Sequence, residues 1–405
     1  MSQRSQVPIS GILKNATKVL SHTAFARTAI GFQMEKQFFN MLYPNYKNGI
    51  ANKIRHIGFR ITDLCNLRCH TCGQWGDNGY LRDRDLKELR KQEVPYTRYI
   101  EMLHDLKANK HTPILYFWGG EPMLYRGLMD VIHEGAKLGM PSSIATNGTR
   151  VAKFAEEFCE APMFLLQISV DGSCEATHNA ARPGQSKNHD SFSEVIEAFE
   201  TLSEMKKRRG QKLPMLVSLT TISRENFFDL TNIYERLKPY TDLQIFYLSW
   251  WIDFESATKH SDDFERRFGE SAKLPYGWVG DWSKFDYAEL SGQLKDLQKR
   301  ASGFNSCPVY IMPNLTDEAD LRKYYTDHSA TFGFNQCVSI FQCPEIDSNG
   351  DVSPCRDYHD YIVGNIKDTK LTELWNSERY VKFRQSISQE GIMPVCTRCC
   401  GLMGY

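Results

Sequence analysis

The sequence predicts an α/β protein built around a parallel β-sheet, and three observations carry that expectation. Between residues 54 and 248, short runs rich in β-branched and aromatic residues alternate with longer stretches of helical periodicity. Glycine-bearing polar turns follow these runs, at the strand ends where α/β sheets place their ligands. Cysteines gather in two groups, one directly behind the first apolar run and one beyond residue 336, instead of spreading as pairs.

An N-terminal extension (1–50) comes first, and its first 34 residues hold four basic side chains, Arg4, Lys14, Lys18 and Arg27, and no acidic one. It reads either as a targeting or membrane-surface segment or as an amphipathic helix packed on the protein body through Ile9, Ile12, Leu13 and Leu20. The packed helix is preferred. Candidate strands then span 55–62, 114–118, 142–146, 164–170, 216–222 and 243–248, with helical patterns over 96–108, 124–138, 151–158, 192–208 and 226–237. Gly139 is placed to stop the second of these helices. Six strands interleaved with helices predict right-handed βαβ crossovers. Periodicity alone leaves open whether the sheet curls into a partial barrel or lies doubly wound. From 250 to about 302 the pattern breaks down. Trp250, Trp251, Trp278 and Trp282 stand there among Phe254, Tyr276, Phe285 and Tyr287, either as an aromatic wall over the active site or as an insertion packed by its own rings.

Lysine plus arginine equals aspartate plus glutamate at 49 each, so no bulk basic field points to nucleic acid. No apolar run approaches the length that spans a bilayer. Twelve cysteines with tight C-x2-C and C-x3-C spacings point to metal, and metal-bound thiolates point to a reducing, cytoplasmic setting. Cys159, Cys174 and Cys307 lack ligand spacing and read as buried structural thiols, Cys174 being also a candidate hydrogen-atom donor.

The first cysteine group is Cys65-Asn-Leu-Arg-Cys69-His-Thr-Cys72. Four thiolates would close the shell of a zinc ion or an iron–sulfur cluster, whereas three leave one metal position open. A zinc knuckle with His70 as fourth ligand is the plainer alternative. Polar motifs follow the later strands: Gly119-Gly120-Glu121-Pro122, Thr146-Asn147-Gly148, Ser169-Val170-Asp171-Gly172 and Ala181-Arg182-Pro183-Gly184. Glycine pairs allow close backbone approach, a carboxylate can meet an ammonium, and a guanidinium presents paired donors to a carboxylate. The second group comprises Cys337, Cys343, Cys355, Cys396, Cys399 and Cys400. Cys343 and Cys355 flank a hairpin-turn sequence around Asn349-Gly350, and a helix is expected over 371–387. A zinc ribbon would accept four of these thiolates as readily.

The C-x3-C-x2-C spacing resembles the signature of the radical S-adenosylmethionine (SAM) enzymes, and the strand-end motifs follow in that superfamily's order. The resemblance implies a partial (β/α)6 TIM-like barrel over 51–249, then the aromatic-rich insertion and last barrel helix over 250–330. It implies a 4Fe–4S cluster on the catalytic Cys65, Cys69 and Cys72, whose open iron binds SAM. Gly119, Gly120 and Glu121 would take the SAM amino group, Asn147 a ribose hydroxyl, Ser169 and Asp171 the ribose and carboxylate region, and Arg182 the carboxylate. One position departs from the pattern. The residue before the third cysteine is often aromatic and packs near the adenine, and here it is Thr71. The last segment, 331–405, resembles the SPASM/twitch extension. With the chain ending at Tyr405, the shorter twitch form and one auxiliary 4Fe–4S cluster are expected. Its ligands would be Cys337, Cys343, Cys355 and Cys396, with Cys399 the rival for the last place.

The implied chemistry is reductive cleavage of SAM to methionine and a 5′-deoxyadenosyl radical that takes hydrogen from a substrate C–H bond. A reducing partner such as flavodoxin or ferredoxin would supply the electron. The preferred substrate is a small biosynthetic intermediate, oxidised or rearranged. The alternative is a peptide or protein maturase, although some fifty residues before the barrel look short for a leader-binding module. A third reading, an iron–sulfur or zinc protein without SAM turnover, sits poorly with the four strand-end motifs. Asp357 and His359, just beyond Cys355, could serve as general bases, but solvated surface groups are the preferred reading.

Overall fold

A computed structural model describes residues 22–161, 163–186, 189–280, 284–303 and 306–403. Arg4, Ile9, Ile12, Leu13, Lys14, Lys18, Leu20 and Trp282 lie outside them. All six expected strands form: β1 (His56–Thr62), β2 (Ile114–Gly119), β3 (Ser142–Thr146), β4 (Met163–Ser169), β5 (Met215–Ile222) and β6 (Leu243–Leu248). They pair in parallel in chain order. A seventh parallel strand, β7 (Val309–Met312), adds to β6. On the far side the hairpin β8 (Glu345–Ile346) and β9 (Asp351–Ser353) joins in, followed by β10 (Gly364–Asn365). β8 runs parallel to β1, so one ten-stranded sheet has the order β10-β9-β8-β1-β2-β3-β4-β5-β6-β7. The sheet keeps two edges, β10 and β7, as an open barrel does.

Alternation along the strands sorts side chains to two faces. Ile57, Phe59, Ile61, Leu115, Phe117, Ile144, Leu166 and Phe246 belong to the main core that includes the helices. Val217, Ile245, Tyr310 and Met312 form a separate interior cluster with Tyr247 and Cys400. The helix Leu128–Lys137 starts four residues later than periodicity suggests, because Pro122–Leu124 makes a 3-10 turn capped by the Glu121 side chain. Gly139 follows it with φ +80°, the left-handed stop expected there.

The region after β6 is more regular than its sequence suggests. Helices Phe254–Phe268 and Tyr287–Ala301 flank a short 3-10 turn, Leu274–Trp278. At the other end of the barrel, helix Thr23–Gln37 sets Phe25 on Phe164 and Phe32 near His56, and Glu35 pairs with Arg55. The described part of the extension is thus a helix packed on the strands' starts. No helix among the described residues is long and apolar enough to cross a membrane.

Candidate active site

The three clustered cysteines occupy the irregular loop that leaves β1. Backbone bonds from Gly120 N–H to Thr62 O (2.8 Å) and from Glu121 N–H to Leu64 O (2.7 Å) tie this loop to the end of β2. A Cβ at Gly120 would run into the Leu64 carbonyl and lie 2.9 Å from Asp63 O. The glycine pair therefore serves close approach to the chain's own cysteine loop. Trp75 pins the loop from within, donating its indole N–H to Asp63 O at 2.7 Å beneath the Arg68 guanidinium.

Each thiol has a donor. The N–H groups of Leu67 and Trp75 lie 3.4 Å from the sulfurs of Cys65 and Cys72, and Arg182 Nη1 lies 3.8 Å from that of Cys69. Burial pushes the Cys65 thiol well up and the Cys69 thiol up to about 11. Thiols held so far from ionisation become thiolates when a metal replaces their protons, and the surrounding donors suit a cluster's sulfur ligands. His70 turns away to Asp77 (3.3 Å) on the surface, which removes the expected fourth ligand of a zinc knuckle. Among the described residues no three His, Cys, Asp or Glu side chains close on a single ion. A cluster asks for something else, one thiolate on each of several irons.

Glu121 is fully buried at the end of β2. One carboxylate oxygen accepts from Thr146 Oγ1 (2.6 Å) and Met123 N–H (3.0 Å), the other from Asn147 N–H (2.7 Å). Burial raises its pKa while those donors oppose the rise. The carboxylate joins the ends of β2 and β3 and so orients Asn147. The Asn147 amide reaches Asn66 Oδ1 (2.8 Å) and the Cys65 sulfur (4.0 Å). At the end of β4, Asp171 pairs with Arg182 Nε at 2.6 Å and accepts from Thr221 N–H at 2.8 Å. Ser169 closes β4, half-buried. The structure thus gathers Cys65 with Asn147 and Cys69 with Asp171 and Arg182. Thr146 and Asn66, which stand inside those motifs without an assigned role, belong to the same network.

Further in, Arg60 bonds Asp63 (2.9 Å) and Asp347 (3.1 Å), Asp347 also holds His359, and Ser348 Oγ donates to Asp63 at 2.8 Å. Glu345, with no exposed surface, faces Arg356 (3.3 Å) and the Trp118 indole N–H (3.3 Å). Burial lifts its carboxyl to about 7 against the pull of Arg356. The surface reading of Asp357 and His359 therefore fails. His359 is 3% exposed, and half-buried Asp357 accepts from the Cys400 N–H (3.0 Å) and faces its thiol (3.3 Å). The reading of Cys174 as a buried thiol fails as well, because it is exposed at the cap of helix Glu175–Ala181. A charged residue at an interior position of β1, Arg60, was the sequence signal for this polar group.

In the C-terminal segment Cys337, Cys355, Cys396 and Cys399 line one cavity together with Ile340, Phe383 and Met393. Cys343, 1% exposed, lies within electrostatic reach of Cys337. Burial lifts the thiols of Cys343 and Cys396 to about 12. Four thiols lining one apolar cavity, with that of Cys343 beside them, fit an iron–sulfur cluster with one thiol to spare.

Comparison with known proteins agrees with this arrangement. The family model described as "Radical SAM superfamily" matches residues 59–237, and that described as "Iron-sulfur cluster-binding domain" (SPASM) matches 337–400. The chain is 22% identical over 364 residues to the tungsten-containing aldehyde ferredoxin oxidoreductase cofactor-modifying protein of Pyrococcus furiosus, covering 85% of this chain and 87% of that one. It is 25% identical over 357 residues to the AdoMet-dependent heme synthase of Oleidesulfovibrio alaskensis, covering 85% and 80%. Among solved structures, Streptococcus suis SuiB bound to SAM shares the fold with a TM-score of 0.57 at 14% identity, over 87% of this chain and 73% of that one. Native anSMEcpe with bound AdoMet does so at 0.54 and 18%, over 82% and 83%. Radical SAM and SPASM domains imply SAM binding and iron–sulfur clusters, and here three cysteines follow β1 while six more lie on both sides of the β8–β9 hairpin. The chain carries a radical SAM superfamily domain over residues 59–237 and a SPASM iron–sulfur cluster-binding domain over residues 337–400.

Proposed function

We propose that this protein cleaves SAM reductively at a 4Fe–4S cluster on Cys65, Cys69 and Cys72 and uses the resulting radical to oxidise or rearrange a small biosynthetic intermediate. The observation that carries the reading is Arg182, which bridges Asp171 and the Cys69 sulfur and so binds the end of β4 to the cysteine loop. When bound, the cluster and SAM supply a 5′-deoxyadenosyl radical able to take hydrogen from an unactivated C–H bond.

The chain's own residues bind and orient. Arg182 offers its remaining N–H groups to the SAM carboxylate. Glu121 fixes Asn147 beside the Gly119–Gly120 turn, and these would meet the ribose and the amino group, with Ser169 facing the nucleoside from β4. Trp118, Glu345 and Arg356 form a linked polar group at β2 and β8 that holds these strands together. One auxiliary 4Fe–4S cluster, on four of Cys337, Cys343, Cys355, Cys396 and Cys399, would accept the second electron of an oxidation. A flavodoxin or ferredoxin in the same cytoplasmic compartment would deliver the first. Relatives named for heme, GTP and cofactor chemistry support a small molecule over a peptide.

The test is anaerobic. Protein reconstituted with iron and sulfide is reduced with dithionite and given SAM, and 5′-deoxyadenosine is followed by chromatography. The wild type yields product, while the Cys65→Ala/Cys69→Ala/Cys72→Ala variant yields none and keeps about four irons, those of the auxiliary site. No product from fully loaded, reduced wild type overturns the proposal.

A further inference from the structure

The helix Thr23–Gln37 is apolar on two sides. Its inner side buries Ala26 and Phe32 and crosses the strand starts from Phe164 at β4 to His56 at β1. Its outer side carries Ile30 and Met34, and the chain beyond it adds Phe38, Met41 and Leu42, all between 42% and 70% exposed. Helical bonds run on through this stretch, from Phe38 N–H to Met34 O and from Leu42 N–H to Phe38 O, both 2.9 Å. Ile30, Met34, Phe38 and Met41, spaced by four, four and three residues, therefore form one ridge. A surface helix ordinarily turns charge to water on its second side, and this one turns a second apolar side.

The charge around the ridge has one sign. Glu35 is the sole acidic residue of the first 50, and it is taken up by Arg55. Arg27 and Lys47 are exposed beside the ridge, and the sequence ahead of the helix holds Arg4, Lys14 and Lys18. Because β1 to β7 run in parallel, the loops leading into them open at this same end of the sheet. Lys53 before β1, Lys110 before β2, and Lys207, Arg208 and Lys212 before β5 are all exposed there. The acidic Glu156, Glu160 and Asp242 beside these loops are taken up by Arg209 and Lys206. Cations at helix C-termini are ordinary, but an apolar ridge set among them is not.

These features narrow the partner. A two-fold contact with a second copy would set the cations against their own kind. A protein groove that wraps a helix could not close around this one, whose other side is already packed on the strands. An anionic bilayer meets both features at once: apolar side chains sink into the headgroup boundary while lysine and arginine reach the charged headgroups. We infer that the strand-start end of the barrel docks on an anionic membrane surface, with Ile30, Met34, Phe38 and Met41 entering the interface and the surrounding cations holding the lipid headgroups. The docked end lies opposite the cysteine loop, so the carboxyl ends of the strands stay open to substrate. The inference goes beyond the SAM chemistry proposed above and does not depend on it.

The test is flotation of the full-length, iron-reconstituted protein with vesicles of phosphatidylcholine alone or mixed in equal parts with phosphatidylserine. The wild type floats with the mixed vesicles and not with phosphatidylcholine alone, and about 1 M salt, which shortens the screening length to about 3 Å, weakens the binding. Met34→Ser/Met41→Ser removes two exposed apolar side chains and lowers the partition coefficient at least about 10-fold. Lys207→Gln/Lys212→Gln lowers it about 30-fold, each cation near an anionic surface being worth about 5-fold. All four side chains are exposed, and unchanged iron content and circular dichroism confirm that each variant is folded. No flotation of the wild type, equal flotation with both vesicles, or wild-type binding by either folded double variant overturns the inference. A wild-type dimer in sedimentation that Met34→Ser/Met41→Ser dissolves also overturns it, and gives the ridge to a second copy. The readout needs no turnover of SAM, so this inference and the proposed activity fail separately.

Discussion

Asp171→Asn isolates what the buried pair at the end of β4 contributes. The carboxylate is 1% exposed and has two partners, the Arg182 guanidinium at 2.6 Å and the Thr221 N–H at 2.8 Å. Burial pushes its pKa up and Arg182 pulls it down, so the charge is tolerated because the cation is there. Asparagine preserves the shape and can still accept from Thr221, but it turns an amide donor toward the Arg182 donor. The guanidinium is then left buried without its counter-charge, a loss of about 3–5 kcal/mol. Asp171→Asn/Arg182→Met removes the stranded charge as well and should recover most of that loss, giving a coupling energy of at least about 2 kcal/mol. Urea unfolding at pH 7, with both single variants and the double variant, measures it through midpoints at constant slope. A coupling below about 0.5 kcal/mol would refute the argument, because the two groups would then act independently.

Further outcomes follow from the same coordinates. Burial alone would lower the pKa of His359, but the Asp347 carboxylate outweighs it and holds the imidazole above its usual range. Its stabilisation is therefore complete below about pH 6.5 and is lost as pH rises through the folded value, so His359→Gln should flatten that alkaline fall in a pH series of unfolding curves. A wild-type slope retained in the variant would assign the fall to another group. Gly120→Ala drives a methyl into the Leu64 carbonyl and should cost about 1–3 kcal/mol and lower iron loading at the first cysteine group. Gly292→Ala, mid-helix with open space around it, should instead stabilise by about 0.4–1 kcal/mol. Cys174, exposed and with its pKa lowered by the Thr177 hydroxyl, should be alkylated by iodoacetamide before buried Cys159 and Cys307, as peptide mass mapping will show.

The strands from 56 to 248 were legible because each repeats an apolar run, a polar strand-end turn and a helix, and β1 to β6 lie within a residue or two of their expected bounds. β7 was not legible: four residues before Pro313 are too few to show alternation. The helix Phe254–Phe268 carried a readable stripe, Ala257, His260, Phe264 and Phe268, all buried, but the tryptophans around it drew the reading toward a wall or insertion. At the site, residue types and order placed Cys65, Cys69, Cys72, Asn147, Asp171 and Arg182 near one another. Spacing does not reveal which partner each side chain takes. That Glu121 turns inward to Thr146 and Asn147, or that Asp357 faces Cys400, depends on contacts between segments far apart in the chain.

The parallel pairing of β8 with β1 also governs when the site can be finished during synthesis. Gly58 and Glu345 are sheet neighbours, yet more than two thirds of the chain separates them on the ribosome. Until the hairpin emerges, Arg60 lacks Asp347 and Asp63 lacks Ser348, so the strand that launches the cysteine loop remains an unsatisfied, unpaired edge. Contacts this distant in sequence close last and slowly. Iron delivered to a nascent chain would meet a loop already tied to the end of β2 but still lacking, at its base, the Asp347 and Ser348 contacts.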